Sequence, residues 1–134
     1  MQKHQCKRDR EVSRRARRKM VGEVMKLYAK RKDAMPEDVE AIENDINARV
    51  EAWNEVYGEK GYLDLHYMTL QGAVNFVARM AASHKGRLYL ETGVGNGSRG
   101  GVPVIKQALL KFYEGSISVC VNKGLLVLFV SPKY

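Results

Sequence analysis

Two stretches of this sequence carry residue types that could do chemistry. The first is Asp64-x-His66, inside the alternating segment Tyr62-Leu63-Asp64-Leu65-His66. Side chains two apart on a strand share a face, so a carboxylate would stand beside an imidazole. Such a neighbour orients the ring and raises its basicity, which prepares a general base or acid. The second stretch is residues 93–101, where Gly93, Gly95, Gly97, Gly100 and Gly101 are interleaved with Asn96, Ser98 and Arg99. The apolar run Leu88-Tyr89-Leu90 precedes it, and Pro103 with a helix-spaced segment follows. Strand, glycine loop and helix start together aim backbone N–H groups at one point, which makes an anion site suited to phosphate. Glycine lets the backbone approach closely, and Arg99 could add a charge-assisted fork to a phosphate oxygen.

Beside such a cradle the natural reaction is phosphodiester cleavage. On RNA, His66 would take the 2′-hydroxyl proton while loop amides and Arg99 stabilise the developing charge. Without the loop, Asp64 and His66 would read only as a polar pair at a strand end. The loop has rival readings. Gly95-x-Gly97-x-x-Gly100 matches the dinucleotide fingerprint, and Glu91-x-Gly93-x-Gly95-x-Gly97 resembles the first motif of S-adenosylmethionine methyltransferases. Both folds require several further strand-helix units after the loop, and the sequence after Gly101 has room for one helix and two strands. A plain glycine-rich turn without a ligand is the third alternative.

The elements that must position these residues follow from periodicity. Residues 1–32 read as one basic helix with a narrow stripe of Val12, Ala16, Met20, Val24 and Leu27/Tyr28. Pro36 suits the first turn of a second helix, whose stripe is Val39, Ile42, Ile46, Val50, Trp53 and Val56/Tyr57. Residues 1–32 carry 13 Lys/Arg against 3 Asp/Glu, whereas residues 33–61 carry 2 against 9. An antiparallel hairpin, residues 1–61, would therefore align opposite charges along its flanks. On its stripe Trp53 is expected to be a core anchor. Gly58 and Gly61 break the helix and lead into residues 62–134.

That second part is expected to be α/β, a two-layer α+β domain with βαβαββ order and a mixed four-stranded sheet. Its strands are placed at 62–66, 87–92, 116–121 and 125–130, and its helices at about 69–84, capped by Thr69, and 103–113. The first helix presents Ala73, Val74, Phe76, Val77 and Met80 to the sheet; the second presents Val104, Ile105, Ala108, Leu109 and Phe112. Alternation in the third strand suggests that Ile117, Val119 and Val121 are buried. Leu125-Leu126-Val127-Leu128-Phe129-Val130 is apolar at every position, so an interior strand covered on both sides is expected, with the helical hairpin as one candidate cover. In a parallel pair with a right-handed crossover, strands one and two end at the same sheet edge, which would bring His66 to the glycine loop.

The net charge is +8, and the cluster Arg14, Arg15, Arg17, Arg18 and Lys19 points to a polyanionic partner, nucleic acid first. The structural alternative is a solvated face. No apolar run approaches a membrane span. Cys6 and Cys120 form neither a metal motif nor a disulfide framework, so a reducing, intracellular setting is expected, cytoplasmic or nuclear. An amphipathic Arg-rich start also permits mitochondrial targeting, against which Asp9 and Glu11 count. No cofactor is expected, and no metal, because Asp64 has no carboxylates clustered near it in sequence.

Leu63-Asp64-Leu65-His66, then a Thr-capped helix, then Thr92-Gly93-x-Gly95-Asn96-x-Ser98-Arg99-Gly100-Gly101-Val102-Pro103-Val104 resembles the Smr (small MutS-related) domain. The resemblance spans residues 62–130, and the helices before it are more weakly similar to the extension preceding eukaryotic Smr domains. It implies a fold like the C-terminal domain of bacterial translation initiation factor three. It also implies nucleic-acid binding or nuclease activity, on branched DNA or on mRNA at stalled ribosomes. By position it assigns Asp64 and His66 to the family's Asp-x-His, and Gly93, Gly95, Asn96 and Ser98 to its glycine block. Three positions depart from the pattern: Gly97 replaces a histidine, Val94 a basic residue, and Tyr67 a glycine. Losing one imidazole removes a proton carrier. The expectation is a module that binds nucleic acid, RNA ahead of DNA, within a ribosome or other ribonucleoprotein. The glycine block, Arg99, Lys106 and the basic helix would make contact, with endonuclease activity weakened or lost. The alternatives are an active endonuclease using Asp64 and His66, and a protein-interaction module working through the hairpin.

Overall fold

A computed structural model describes residues 7–93 and 103–131. Helices α1 (Lys7–Lys32) and α2 (Pro36–Tyr57) form the hairpin, followed by β1 (Tyr62–Asp64), α3 (Leu70–Ala82), β2 (Gly86–Glu91), α4 (Val104–Phe112), β3 (Ile117–Val119) and β4 (Leu125–Val130). The sheet order is β1-β2-β4-β3, with β1 parallel to β2 and the other pairs antiparallel. The expected α+β class, the helical hairpin and the mixed four-stranded sheet are all present. Among the described residues no helix is long and apolar enough to cross a membrane.

The hairpin closes along its predicted stripe, with Met20 and Val24 of α1 and Ile42, Ile46 and Val50 of α2 buried in the common core. Opposite charges do meet along its flanks, Arg31 with Glu43 at 3.2 Å and Arg49 with Glu23 at 3.0 Å. Each of these part-exposed pairs contributes about 0–1 kcal/mol, against about 1.5–3 kcal/mol for each fully buried aliphatic side chain. The stripe therefore holds the hairpin together, and the charges select its pairing. Val12 and Val56, at the ends of the stripe, are exposed.

Two asparagines seven residues apart on α2, and so on one face of it, fasten the hairpin to the α/β layer. Asn54 Oδ1 accepts from Asp64 N at 2.8 Å, while its Nδ2 donates to the carbonyls of Asp64 and Val50, both at 2.9 Å. This buried amide satisfies the outer side of edge strand β1, as another strand would. Asn47 does the same for the start of α3. Its Oδ1 accepts from Thr69 N and its Nδ2 donates to Thr69 Oγ1, both at 2.9 Å. Thr69 Oγ1 in turn caps α3 by accepting from Gly72 N at 3.1 Å. A side chain at residue 72 would collide with Asn47, 2.2 Å away.

Pairing register defines the two sheet faces. Leu63, Leu90 and Leu126 form one cross-strand row, and Leu88 and Leu128 the next; all five are buried in the core with Phe76, Val77 and Leu109 of the helices. The opposite face carries Tyr62, Tyr89 and Val127 in one row, Asp64, Glu91 and Leu125 in a second, and Arg87 with Phe129 in a third. β4 is interior, as expected, but only Leu126 and Leu128 are buried while Phe129 is 47% exposed, so it is covered on one side. The hairpin lies against β1 and α3 and reaches the second face at its β1 edge, through Arg17. β3 is an outer strand, which leaves Val119 exposed and Ile117 half-buried; it ends at Val119, short of the expected 121, and Val121 is exposed in the bend beyond it. On α4, Leu109 is buried but Val104 and Phe112 are exposed. β1 ends at Asp64, although Leu65 N still donates to Glu91 O at 2.9 Å.

Candidate functional site

The chain leaves β1 through a tight turn in which Tyr67 has φ = 70°. Non-glycine residues rarely occupy this region, and this is one of the three positions at which the sequence departs from the Smr pattern, which has a glycine here. The hairpin braces the turn. Tyr28 Oη donates to Tyr67 O at 2.6 Å, and the Arg17 guanidinium lies 5.8 Å from the Tyr67 ring centre. The turn directs His66 back over the open sheet face, toward the row of Asp64 and Glu91.

Asp64 and His66 do pair, as expected from their spacing. His66 Nδ1 lies 2.8 Å from Asp64 Oδ1, which also accepts from His66 N at 3.1 Å. Nδ1 is 3.1 Å from Glu91 Oε2 as well, so one N–H faces two carboxylates. Glu91 arrives because the parallel register places it beside Asp64, and its other oxygen accepts a hydrogen bond from Tyr62 Oη. Arg17 reaches Asp64 Oδ2 through both Nε and Nη2, each at 3.0 Å. The fold thus assembles a cluster of two carboxylates, an imidazole and a guanidinium from β1, β2 and α1.

Its electrostatics follow from these contacts. The hydrogen bonds from His66 to Asp64 and then Glu91 outweigh the cost of burial and hold its pKa up to about 9. The ring is therefore almost wholly protonated at neutral pH. Burial would raise the Asp64 pKa, but His66 and Arg17 overcome it and hold the carboxyl below its usual range. Glu91 is lowered chiefly by His66, against burial. With Nδ1–H engaged by carboxylates, a protonated His66 has, among the described residues, Nε2–H left to offer.

Nε2 faces the start of the glycine block. A Cβ built on Gly93 would lie 2.6 Å from it, and Gly93 has φ = 75°, so both space and backbone require glycine there. Thr92 N and Gly93 N both donate to Gly124 O, at 2.8 and 3.1 Å, which fixes the block's entry to the start of β4. The expectation that His66 meets this block holds at Gly93. Gly95, Asn96, Gly97, Ser98 and Arg99 lie outside the described residues.

The remaining predicted residues divide. Arg17 is committed to Asp64. Arg14, Arg15 and Arg18 surround Glu11 at 3.7–3.9 Å and are largely exposed, as is Lys19. Lys106 Nζ donates to Lys123 O at 2.8 Å in the turn before β4. Trp53 packs against the core as expected, though its indole Nε1 is buried without a hydrogen-bond partner among the described residues. A cleft of about 420 Å³ between hairpin and sheet is lined by Arg17, Trp53, Tyr62, Asp64 and Glu91 among others.

Periodicity could not reveal Glu91, Tyr62, Asn54 or Gly124 as parts of this site, and the seven-residue spacing of Asn47 and Asn54 on α2 was the available signal for the clamp. The expectation of no metal rested on Asp64 lacking carboxylates nearby in sequence, and Glu91 supplies one in space. One ligand atom each from Asp64, His66 and Glu91 lie within 4.8 Å of one another, and by donor type they could hold a divalent cation. A cation would have to displace the Nδ1 proton and compete with Arg17. Comparison of the chain with protein-family models, with characterised proteins and with solved structures gave no match.

Proposed function

We propose that this protein binds nucleic acid, RNA ahead of DNA, as an Smr-type module acting within a ribosome or other ribonucleoprotein, with endonuclease activity weakened or lost. The observation that carries the reading is the position of His66: a ring held cationic by Asp64 and Glu91, with Nε2 turned to the first glycine of the block. A fixed cation beside a glycine-rich backbone suits a phosphate oxygen. The same protonation argues against efficient cleavage, since a ring with a pKa of about 9 is a poor acceptor for a 2′-hydroxyl proton at neutral pH. The exposed Arg14, Arg15, Arg18 and Lys19 on α1 would add contacts to the phosphate backbone that are independent of sequence.

A second reading is favoured by the same charged ring. In an active endonuclease His66 would be the proton donor: the 2′-oxygen bonds to phosphorus as its proton passes to solvent, the P–O5′ bond breaks, and Nε2–H protonates the departing 5′-oxygen. Purified protein and a His66→Ala variant, incubated with labelled single-stranded and structured RNA over a salt series, separate the two. The binding reading predicts salt-dependent affinity, reduced in the variant, with the RNA left intact. Cleavage that disappears in the variant would establish the enzyme instead. Affinity indifferent to salt would overturn both in favour of a protein-interaction role for the hairpin.

A further inference from the structure

The site just described occupies one end of the open sheet face, the row of Asp64 and Glu91, and leaves the rows of Tyr89 and Phe129 unassigned. The geometry points to this face as a stacking platform for the bases of a single strand, RNA or DNA, whose phosphate is held at His66; the inference rests on the nucleic-acid reading above.

Register carries the argument. Tyr62, Tyr89 and Val127 are direct cross-strand partners in one row, and Arg87 and Phe129 are partners in the row on the side away from the site. Asp64 and Glu91, with His66 against them, form the row on the other side. Consecutive rows on one face are two residues apart, about 6.6 Å along the strand, comparable to one nucleotide step of an extended strand. A phosphate at His66 would therefore leave the next bases over the tyrosine row and then over Phe129. Flat rings on an exposed sheet suit this because every base has a π face.

The charges agree with such an occupant. The two carboxylates on this face are already matched by Arg17 and His66. Arg87 lies with its guanidinium 6.0 Å from the Phe129 ring centre, and Lys85 immediately precedes β2. Among the described residues neither makes an ion pair. Phe129 is 47% exposed and Tyr89 is half-buried.

The test uses the full chain and a fluorescein-labelled oligouridine of about 12 nucleotides, long enough to cross the face, with an RNA duplex for comparison. Phe129→Ala and Tyr89→Ala should each weaken single-strand binding about 5- to 100-fold while changing duplex binding less than two-fold. Phe129→Tyr and Tyr89→Phe should retain wild-type affinity. Phe129→Leu and Tyr89→Leu keep the apolar bulk should an alanine variant melt early, and they should also lose single-strand affinity. Folded alanine or leucine variants that bind oligouridine like wild type would overturn the platform and leave phosphate binding at His66 standing. So would equal losses on single strand and duplex. Failure of the wild-type protein to bind either RNA would overturn the nucleic-acid reading together with the platform.

Discussion

Replacing Asp64 by Asn keeps the shape of the side chain and removes the charge that links α1, β1 and His66. The two carboxylate oxygens of Asp64 accept from His66 Nδ1 and N and from Arg17 Nε and Nη2. An amide offers one acceptor oxygen, so whichever way it turns, an N–H donor faces a donor. A hydrogen bond to a charged group contributes about 1.5–3 kcal/mol. The Arg17 side chain is 34% exposed and can recover part of its hydration, which favours the lower half of that range. The expected loss is thus about 1.5–2 kcal/mol in urea unfolding at pH 7, with the m-value unchanged. The same variant loses the first of the two carboxylates that raise His66, so the ring's NMR titration midpoint should fall from about 9 toward its ordinary 6.5. A double-mutant cycle with Arg17→Met isolates the α1 link and should give a coupling of about 1 kcal/mol. A stability change under about 0.5 kcal/mol with an unmoved His66 midpoint would refute this account of the cluster.

Three further perturbations follow from the same contacts. Asn54→Ala strips hydrogen-bond partners from the backbone N–H and C=O of Asp64 at a buried edge, and chemical denaturation should register a loss of about 2–4 kcal/mol; a loss below about 1 kcal/mol would mean water replaces the clamp. Gly93→Ala forces a Cβ onto a φ of 75° and toward His66 Nε2, so melting should show at least about 1–2 kcal/mol lost and the His66 ring resonances should shift. In the pH dependence of stability, the contribution of His66 is complete below its ordinary 6.5 and is lost as pH rises through about 9. That rise corresponds to about 3 kcal/mol of preference for the charged ring, which screening at a side chain 31% exposed reduces to about 1–2 kcal/mol. Asp64 and Glu91 act with the opposite sign, stabilising above their ordinary values of 3.8 and 4.5 and ceasing to do so as pH falls through their lower folded values. A His66→Gln variant should flatten the alkaline limb and also weaken the acid limb, because His66 holds the Asp64 and Glu91 carboxyls down; an identical alkaline limb in both proteins would exclude His66 as its cause.

Local pattern reached some of this structure and stopped at identifiable places. The amphipathic stripes and opposite charges of α1 and α2 specified the hairpin, and the Asp64-x-His66 alternation with a right-handed crossover placed the pair beside Gly93. Glu91 escaped because its contact with His66 is created by strand register, which has no local signature. Arg17 was indistinguishable from Arg14, Arg15 and Arg18 in a basic run, although only its position on the helix reaches Asp64. Val119 alternates as a buried strand residue does, but an outer strand alternates too, and sheet order decides which; Val121 continues the alternation in sequence although β3 has already ended at Val119. Phe129 was expected to be covered because an apolar run reads as two-sided burial; the hairpin instead took the β1 edge, directed there by Asn47 and Asn54.

The most direct test of phosphate binding at His66 is the NMR signal of its ring while unlabelled single-stranded RNA is added at low salt, with His84 as an internal reference. The account predicts a saturable shift at His66 and at the Gly93 amide, little change at His84, and suppression of the shifts when salt is raised. RNA that binds while both His66 and Gly93 stay unmoved would contradict it.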